Sequence, residues 1–284
     1  MPELPEVETV RTGLEPALVG RRFDRVEILD GRLVRPFEPA LVSAELEGER
    51  VSRVERRGKY LVLRFESGLA LLVHLRMTGG FRHGPPGHRL QDIHTRAVVE
   101  LDDGSELAYR DVRRFGTWLV VDAAGLDRYL GQRLGQEPFA RSFSARALAG
   151  RLEGRRAPIK AALLDQRSLA GMGNIYVDEA LWRARIHPLR PAGELDEDEI
   201  RRIHRAVRDS LRAGIARQGA TLRDYAGPNG ERGRMQEEFK VYGRGGEPCP
   251  RCGAPIEKIR AAGRGTSFCP LCQPLAATAA TPAV

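Results

Sequence analysis

Four cysteines constrain this chain more than any other feature. Cys249-x-x-Cys252 and Cys269-x-x-Cys272, sixteen residues apart, have the ligand spacing of a tetrahedral four-thiolate zinc site on a small β-hairpin ribbon. Two disulfides or a redox pair are the alternatives. Disulfides suit an oxidising compartment, and the start MPELPEVETV lacks the basic region and apolar run of a secretory leader. The expectation is one structural zinc ion per chain, held by Cys249, Cys252, Cys269 and Cys272. Four thiolates leave no open coordination position for chemistry, and so short a segment needs its metal in order to fold.

The remaining sequence is long enough for two modest domains, at 284 residues in all. An apolar content of 42% with 30% charged residues excludes a disordered chain. No apolar run approaches about 18 residues, so no membrane span is expected and the chain is placed in the cytoplasm, with the nucleoid. A formal net charge of +8 favours a polyanionic partner, because phosphate contacts release counterions. Lys59, Lys160, Lys240 and Lys258 are the only lysines; every other cationic residue is arginine. In such a chain a lysine marks a place where a compact ammonium on a flexible stem does what a planar fork cannot.

Residues 5–19 predict a helix. Val7, Val10, Leu14 and Leu18 fall at helical spacing, Pro5 suits the first turn, and Gly20 follows the end. From about 22 to 122 the texture is that of strands, in VSRVERRGKYLVLRF, GLALLVHL, TRAVVEL and TWLVV, with ELDDGSEL as a hairpin turn. Successive strands with turn signals predict a sandwich. Residues 131–142 are a linker. From 143 to 218 the pattern is helical: Ile200, Ile203, Val207, Leu211 and Ile215 share a face, and Asp196 with Glu199 resembles a capping box. The Gly-rich polar stretch 218–240 predicts a mobile loop, and the tail from 274 has too little to bury to be ordered. The expected fold class is α+β: an N-terminal β-sandwich with flanking helices over 1–130, a helical domain with its loop over 143–235, and a zinc-ribbon finger over 236–273.

Several short stretches stand out along this frame. They are MPELPEVETV at the start, GKYL at 58–61, HLRMTG at 74–79, DVRRFG at 111–116 and IKAALLDQ at 159–166. GMGNIYVDEALWRARIHP follows at 171–188, VYGR at 241–244 and RGTSFCPLCQ at 264–273. Any one would be weak; together they resemble the bacterial formamidopyrimidine-DNA glycosylases over nearly all of residues 1–273. The resemblance implies a monomeric base-excision repair enzyme acting on damaged double-stranded DNA. It would remove oxidised purines such as 8-oxoguanine and formamidopyrimidines, then cleave the abasic site by β,δ-elimination. It also implies that residues 158–186 form a helix–two-turns–helix DNA-binding element, with Gly171 and Gly173 letting backbone amides approach phosphate.

The chemistry of the first residues is intelligible in its own terms. Removal of Met1 leaves a secondary amine on Pro2, and an α-amino group titrates near ~8 against roughly 10.4 for lysine. The unprotonated amine can attack an anomeric carbon and form a Schiff base, an electron sink for elimination. Standing alone, Pro2 would be a helix-start residue. The resemblance makes it the nucleophile, Glu3 a general acid and Glu6 a second acidic catalytic residue, although a helix N-terminus favours any carboxylate. Lys59 matches a family lysine contacting phosphate near the lesion and supporting the transition state. Extruding a base leaves a gap. Met77, Arg113 and Phe115 match the family's void-filling trio: a flexible apolar chain, a donor for the orphaned base and an aromatic wedge. Arg114 is expected on phosphate, and His74 on phosphate or in a buried hydrogen bond. Lys160 matches a lysine on the DNA-facing side, Asn174 a phosphate contact or a helix cap, and Arg264, in the ribbon loop with Arg260, a phosphate contact.

Val112 stands where proline is frequent in the family, and Arg76 where glycine is. Both adjoin DNA-contacting loops and bear on loop stiffness. Two other functions fit parts of the pattern. The related enzymes for oxidised pyrimidines share the architecture but typically open PEGPE rather than PELPE. A noncatalytic zinc-ribbon DNA-binding protein would leave Pro2 and Glu3 without a special role.

Overall fold

The apolar spacing at the N-terminus produces α1 (Leu4–Leu18), with Pro5 in its first turn and Leu4, Val7, Val10, Leu14 and Leu18 buried. A computed structural model of the chain describes residues 1–87, 90, 92–223 and 225–275. After α1 come β1 (Phe23–Ile28), a 3-10 turn (Gly31–Val34) and α2 (Pro39–Leu46). Seven further strands follow: β2 (Val51–Arg57), β3 (Tyr60–Phe65), β4 (Ala70–His74), β5 (Gly79–Gly84), β6 (Thr95–Leu101), β7 (Glu106–Asp111) and β8 (Thr117–Val121). They form two antiparallel four-stranded sheets, ordered β1-β6-β7-β5 and β2-β3-β4-β8, and so a β-sandwich. The turn in ELDDGSEL joins β6 to β7, pairing Glu100 with Glu106. Helix α2 departs from the expectation of strands throughout 22–122. Its buried residues are Val42 and Leu46, a stripe one turn long and too short to register as a period.

One core joins Val7, Val10 and Leu14 of α1, Leu46 of α2 and inward residues of both sheets, among them Phe23, Leu63 and Trp118. The opposite face of the second sheet carries Tyr60, Val62 and Leu72, covered by Leu126 and Leu130 of α3 (Ala123–Gly131). Burial on both faces explains why YLVLRF and ALLVH are nearly continuous apolar runs rather than alternating ones.

The later chain folds into α4 (Ala145–Leu152), α5 (Ile159–Leu164), α6 (Asn174–Ala184) and α7 (Glu197–Ala216), followed by the hairpin of β9 (Glu257–Ala261) and β10 (Arg264–Phe268). Helices α5 and α6, joined by two turns, are the helix–two-turns–helix element. Helix α7 opens on the expected reciprocal box: Asp196 N donates to Glu199 (3.0 Å) and Glu199 N to Asp196 (2.7 Å). Ile203, Val207 and Leu211 are its buried stripe.

The chain forms two compact units, residues 1–134 with 214–236, and residues 135–213 with the chain from 237 onward. Residues 214–235, expected with the helical domain, cluster with the sandwich instead. Within that unit His83 N donates to Pro228 O (3.1 Å), and Ala220 N donates to the Glu6 carboxylate. The tail predicted from 274 lies outside the described residues beyond 275.

Candidate active site

The start of α1 sets the site. Met1 is 43% exposed, whereas Pro2, Glu3 and Glu6 are buried. Glu3 is the N-cap residue and forms a reciprocal capping box with Glu6. One Glu6 oxygen accepts from Glu3 N and the other from Ala220 N, both at 2.8 Å. Gly219 makes this approach possible: its φ is +79°, and a Cβ there would lie 2.7 Å from Glu6 Cγ. Tyr225 Oη donates to the Glu6 carbonyl (3.3 Å). With both oxygens on backbone N–H groups, Glu6 has the bonding of a carboxylate that holds residues 3 and 220 in place. Pro2, Met77, Phe81, Arg110 and Tyr225 line a pocket of 50 Å³. That volume suits a few water molecules and is too small for a nucleobase.

Lys59 occupies a two-residue hairpin turn, since Arg57 pairs with Tyr60 across it, and Gly58 supplies the positive φ (+58°). It is buried, as is His74. His74 lies across from Tyr60, the rings meeting edge to face at 4.6 Å, and its Nδ1 accepts from Arg76 N (3.0 Å). Burial first, then the charges of Arg76 and Lys59, push the His74 pKa down to about 3. The ring is therefore neutral near pH 7, with its proton on Nε2, as the Nδ1 bond requires. The buried hydrogen bond at Nδ1 leaves Nε2–H as the ring's donor.

Met77 lies in the β4–β5 loop, and Arg113 and Phe115 in the β7–β8 loop. Met77 is 39% and Phe115 52% exposed, so neither is an ordinary core residue. The Arg113 guanidinium sits 4.8 Å from the Phe115 ring centre. Arg114, expected on phosphate, bonds through Nε to the buried Asp30 carboxylate (2.5 Å). That bond, opposed by desolvation, holds Asp30 below its usual pKa. An open cleft of 630 Å³ beside Met77 and Phe115 is bordered by Arg32, Arg35, Arg76 and Arg114. Arg32 and Arg35 were not singled out from sequence. In a chain where all but four of 46 cationic residues are arginine, no local signal separates them.

In the second unit Lys160 is fully buried, not on a DNA-facing surface. Its ammonium donates to Asp178 Oδ1 (2.6 Å), Thr266 Oγ1 (2.7 Å) and Gly265 O (3.2 Å). An ammonium has three donors, so these bonds suffice to satisfy it. The other Asp178 oxygen accepts from Ser267 N (3.0 Å). Burial pushes the Asp178 carboxyl up to about 6 against the pull of Lys160. Asn174 is the first residue of α6, whose N-cap is Gly173, so it is not the cap. Its amide donates to Gly265 O (3.0 Å). Lys160 and Asn174 thus converge on β10, one residue from the exposed Arg264. The adjacent Glu179, buried, accepts from the N–H groups of Lys240, Val241 and Tyr242 (2.9–3.0 Å). Between the helices, Gln166 donates to Leu164 O and Met172 O and accepts from Gly171 N, bracing the two turns.

The four cysteine sulfurs lie within 4.8 Å of one another, with Cys249–Cys272 at 3.9 Å and Cys252–Cys269 at 3.4 Å. A tetrahedron with Zn–S near 2.3 Å has sulfurs about 3.8 Å apart, so these residues fit one structural zinc ion. The Trp182 indole N–H donates to Cys249 Sγ (3.4 Å), and Arg251 covers its ring at 4.0 Å. This indole ties the metal site to α6.

A β-sandwich with buried carboxylates beside its second residue, a helix–two-turns–helix element and a four-cysteine ribbon defines a class of DNA glycosylases with abasic-site lyase activity. Residues 1–118 match the formamidopyrimidine-DNA glycosylase N-terminal domain, residues 134–226 its H2TH domain, and residues 246–275 the zinc finger found in FPG and IleRS. The formamidopyrimidine-DNA glycosylase of Symbiobacterium thermophilum is 48% identical over 277 residues, covering 97% of this chain and 90% of that protein. The crystal structure of a Lactococcus lactis FPG mutant complexed with Fapy-dG-containing DNA superimposes with a TM-score of 0.90. It is 38% identical and covers 96% of this chain and 100% of that one. A MutM complex with carbocyclic 8-oxo-G-containing DNA gives 0.89 at 39% identity, covering 96% and 100%. The chain belongs to the formamidopyrimidine-DNA glycosylase family and is a bifunctional glycosylase and abasic-site lyase. Among the described residues, no helix is long and apolar enough to cross a membrane.

Proposed function

We propose that this chain, as a cytoplasmic monomer, excises 8-oxoguanine and formamidopyrimidines from duplex DNA and cleaves the abasic site with the Pro2 amine as nucleophile. Loss of Met1 frees the amine. Its lone pair attacks the anomeric carbon, the glycosidic bond breaks and the base departs with the bonding electrons, taking up a proton. The amine loses its proton and the C1′–O4′ bond opens with O4′ protonated, which leaves an iminium at C1′. A base removes the C2′ proton, the C2′–H electrons pass to the iminium and then expel the 3′ phosphate, and a second elimination expels the 5′ phosphate. Glu3, adjacent to the amine, transfers protons during sugar opening, and Glu6 holds Glu3 in place. Lys59, His74, Asn174 and Arg264 contact phosphates. Met77, Arg113 and Phe115 fill the space left by the extruded base. Arg114, anchored through Nε on Asp30 at the border of the cleft, turns its remaining guanidinium N–H groups to phosphate, whereas Lys160 acts through Asp178 rather than on DNA. The zinc ion holds the ribbon in shape.

The observation that carries this reading is the burial of Pro2 beside the Glu3–Glu6 box, at a pocket it shares with Met77 and Tyr225. A protein that merely bound DNA would have no use for a reactive amine on Pro2 set beside buried carboxylates. Borohydride reduction with 8-oxoguanine duplex tests it. The mature protein, confirmed by intact mass to lack Met1, is expected to become covalently trapped, and Pro2→Gly to lose most of the adduct. Normal trapping by protein that retains Met1 would overturn the assignment. A clear preference for thymine glycol over 8-oxoguanine would instead assign the chain to oxidised pyrimidines.

A further inference from the structure

The two loops that carry Met77, Arg113 and Phe115 belong to different strand pairs, yet they share one buried carboxylate. Asp111, the last residue of β7, is buried and pairs with Gly79, the first residue of β5. Its Oδ1 accepts from Thr78 Oγ1 (2.5 Å) and from Arg113 N (3.2 Å), and its Oδ2 from Gly116 N (2.7 Å). Thr78 Oγ1 in turn accepts from Arg113 N (2.9 Å). One side chain therefore ties the residue after Met77 to both flanks of the Arg113–Phe115 segment.

Tyr109 forms the floor of the same arrangement. It is fully buried, packed against Phe81 and Trp118 with ring centres 5.1 and 5.5 Å away. Its hydroxyl lies between the two loops. A Cβ on Gly79 would come 2.2 Å from Tyr109 Oη, and one on Gly116 would come 1.9 Å from it. Both loops therefore end on glycine where they meet this ring. The carboxylate bonds both loops, and the phenol fills the space between their two glycines.

The geometry points to Thr78 and Asp111 as a clamp: positioning residues that preset Met77, Arg113 and Phe115 as one rigid unit for insertion into the duplex. This rests on the void-filling role proposed above and adds how the trio is kept ready. Three side chains on two loops would otherwise lose conformational freedom each time they entered the base stack. Thr78 matters by its hydroxyl, which receives one bond and donates another. Valine has the same shape without either function, and serine keeps both.

The test compares Thr78→Val, Thr78→Ser, Met77→Ala and Phe115→Ala. Each is measured for single-turnover excision of 8-oxoguanine and for cleavage of a preformed abasic site, where no base has to be extruded. A 2-aminopurine beside the lesion reports unstacking by the inserted side chains. Thr78→Val is expected to slow excision about tenfold, the scale of a lost hydrogen bond to a carboxylate, and to reduce the 2-aminopurine signal. Abasic cleavage should change less than about twofold, and Thr78→Ser should restore excision. If Met77→Ala and Phe115→Ala impair excision and the signal while Thr78→Val does neither, the clamp is refuted and the trio stands. If Met77→Ala and Phe115→Ala also leave both unchanged, the void-filling reading itself fails. Equal loss in both reactions for Thr78→Val, without rescue by serine, would make Thr78 a general structural residue and refute the clamp.

Discussion

Replacing Lys160 by methionine removes one half of a fully buried ion pair and leaves Asp178 with Ser267 N as its neighbour of opposite polarity. Breaking a buried pair by deleting one partner costs about 3–5 kcal/mol, because the remaining charge is uncompensated. For a unit of about 125 residues, an unfolding entropy near 2.1 cal/mol/K per residue converts this to a Tm loss of roughly 15 °C. The loss should depend on pH in a definite direction. Without the ammonium, burial raises the folded Asp178 pKa further above its unfolded value, so the native state binds the extra proton. Stability of Lys160→Met therefore rises as pH falls from 8 to 5, while the wild type gains less. Replacing both partners, Lys160→Met with Asp178→Leu, should recover much of the loss. Urea unfolding at the two pH values measures all three. DNA affinity supplies a second readout. Each phosphate contact contributes about 0.9 to the slope of log K against log salt. Lys160→Met should weaken binding, since Gly265 and Arg264 lose support, without changing the slope. A destabilisation below about 1 kcal/mol, or a slope reduced by about 0.9, would refute the reasoning and return Lys160 to the DNA surface.

Two other outcomes follow from local chemistry. Stripping zinc with a chelator should unfold the ribbon, shift the emission of Trp182 as its bond to Cys249 is lost, and abolish DNA binding until zinc is restored; persistent binding by metal-free protein would contradict a structural role. His74, with its folded pKa near 3, disfavours the native state as the unfolded chain takes up a proton below about 6.5, so stability falls with pH. Between pH 7 and 4 the wild type should lose about 3 kcal/mol more than His74→Asn, which cannot titrate there; parallel urea profiles for the two proteins would show that His74 protonates freely.

What could be foreseen from the sequence depended on how far apart the interacting residues lie. The zinc site was legible because its four ligands sit in two short repeats of one hairpin. The sandwich was legible from β-branched and apolar runs between turns, and α7 from a five-residue apolar stripe with its own cap. Helix α2 was missed because two buried residues make no period. The contact of 214–236 with the start of the chain was not legible because it depends on Glu6, more than 200 residues away, whose carboxylate meets Ala220 N. Asn174 illustrates an intermediate case. The motif marked the residue, but the cap is Gly173, and the asparagine amide turns to a carbonyl on a strand ninety residues later.

The excess of arginine shows why the acids had to be located in three dimensions before the cations could be interpreted. Net charge says that this chain favours a polyanion, but not which guanidiniums meet it. The buried carboxylates decide that. Asp30 holds Arg114, and Asp178 holds Lys160. Glu8 holds Arg56, which is nearly as buried as a core residue. A buried cation such as Lys160 has exchanged water for a fixed partner and would have to break that bond to reach phosphate, whereas the exposed Arg114 uses only Nε on Asp30 and keeps its other N–H donors. Arg114 and Lys160 both lie inside motifs that resemble DNA-contacting segments, but only Lys160 is buried in its pair, whereas Arg114 is exposed and anchored at one edge. The guanidinium groups of Arg32, Arg35 and Arg76, which border the cleft beside Met77 and Phe115, form no ion pair with a buried acid among the described residues; Arg32 meets Asp30 only through its backbone N–H. The acidic residues therefore act as a selection on the basic ones: they fix the loops and helices by holding some arginines, and thereby determine which cations remain available to the duplex.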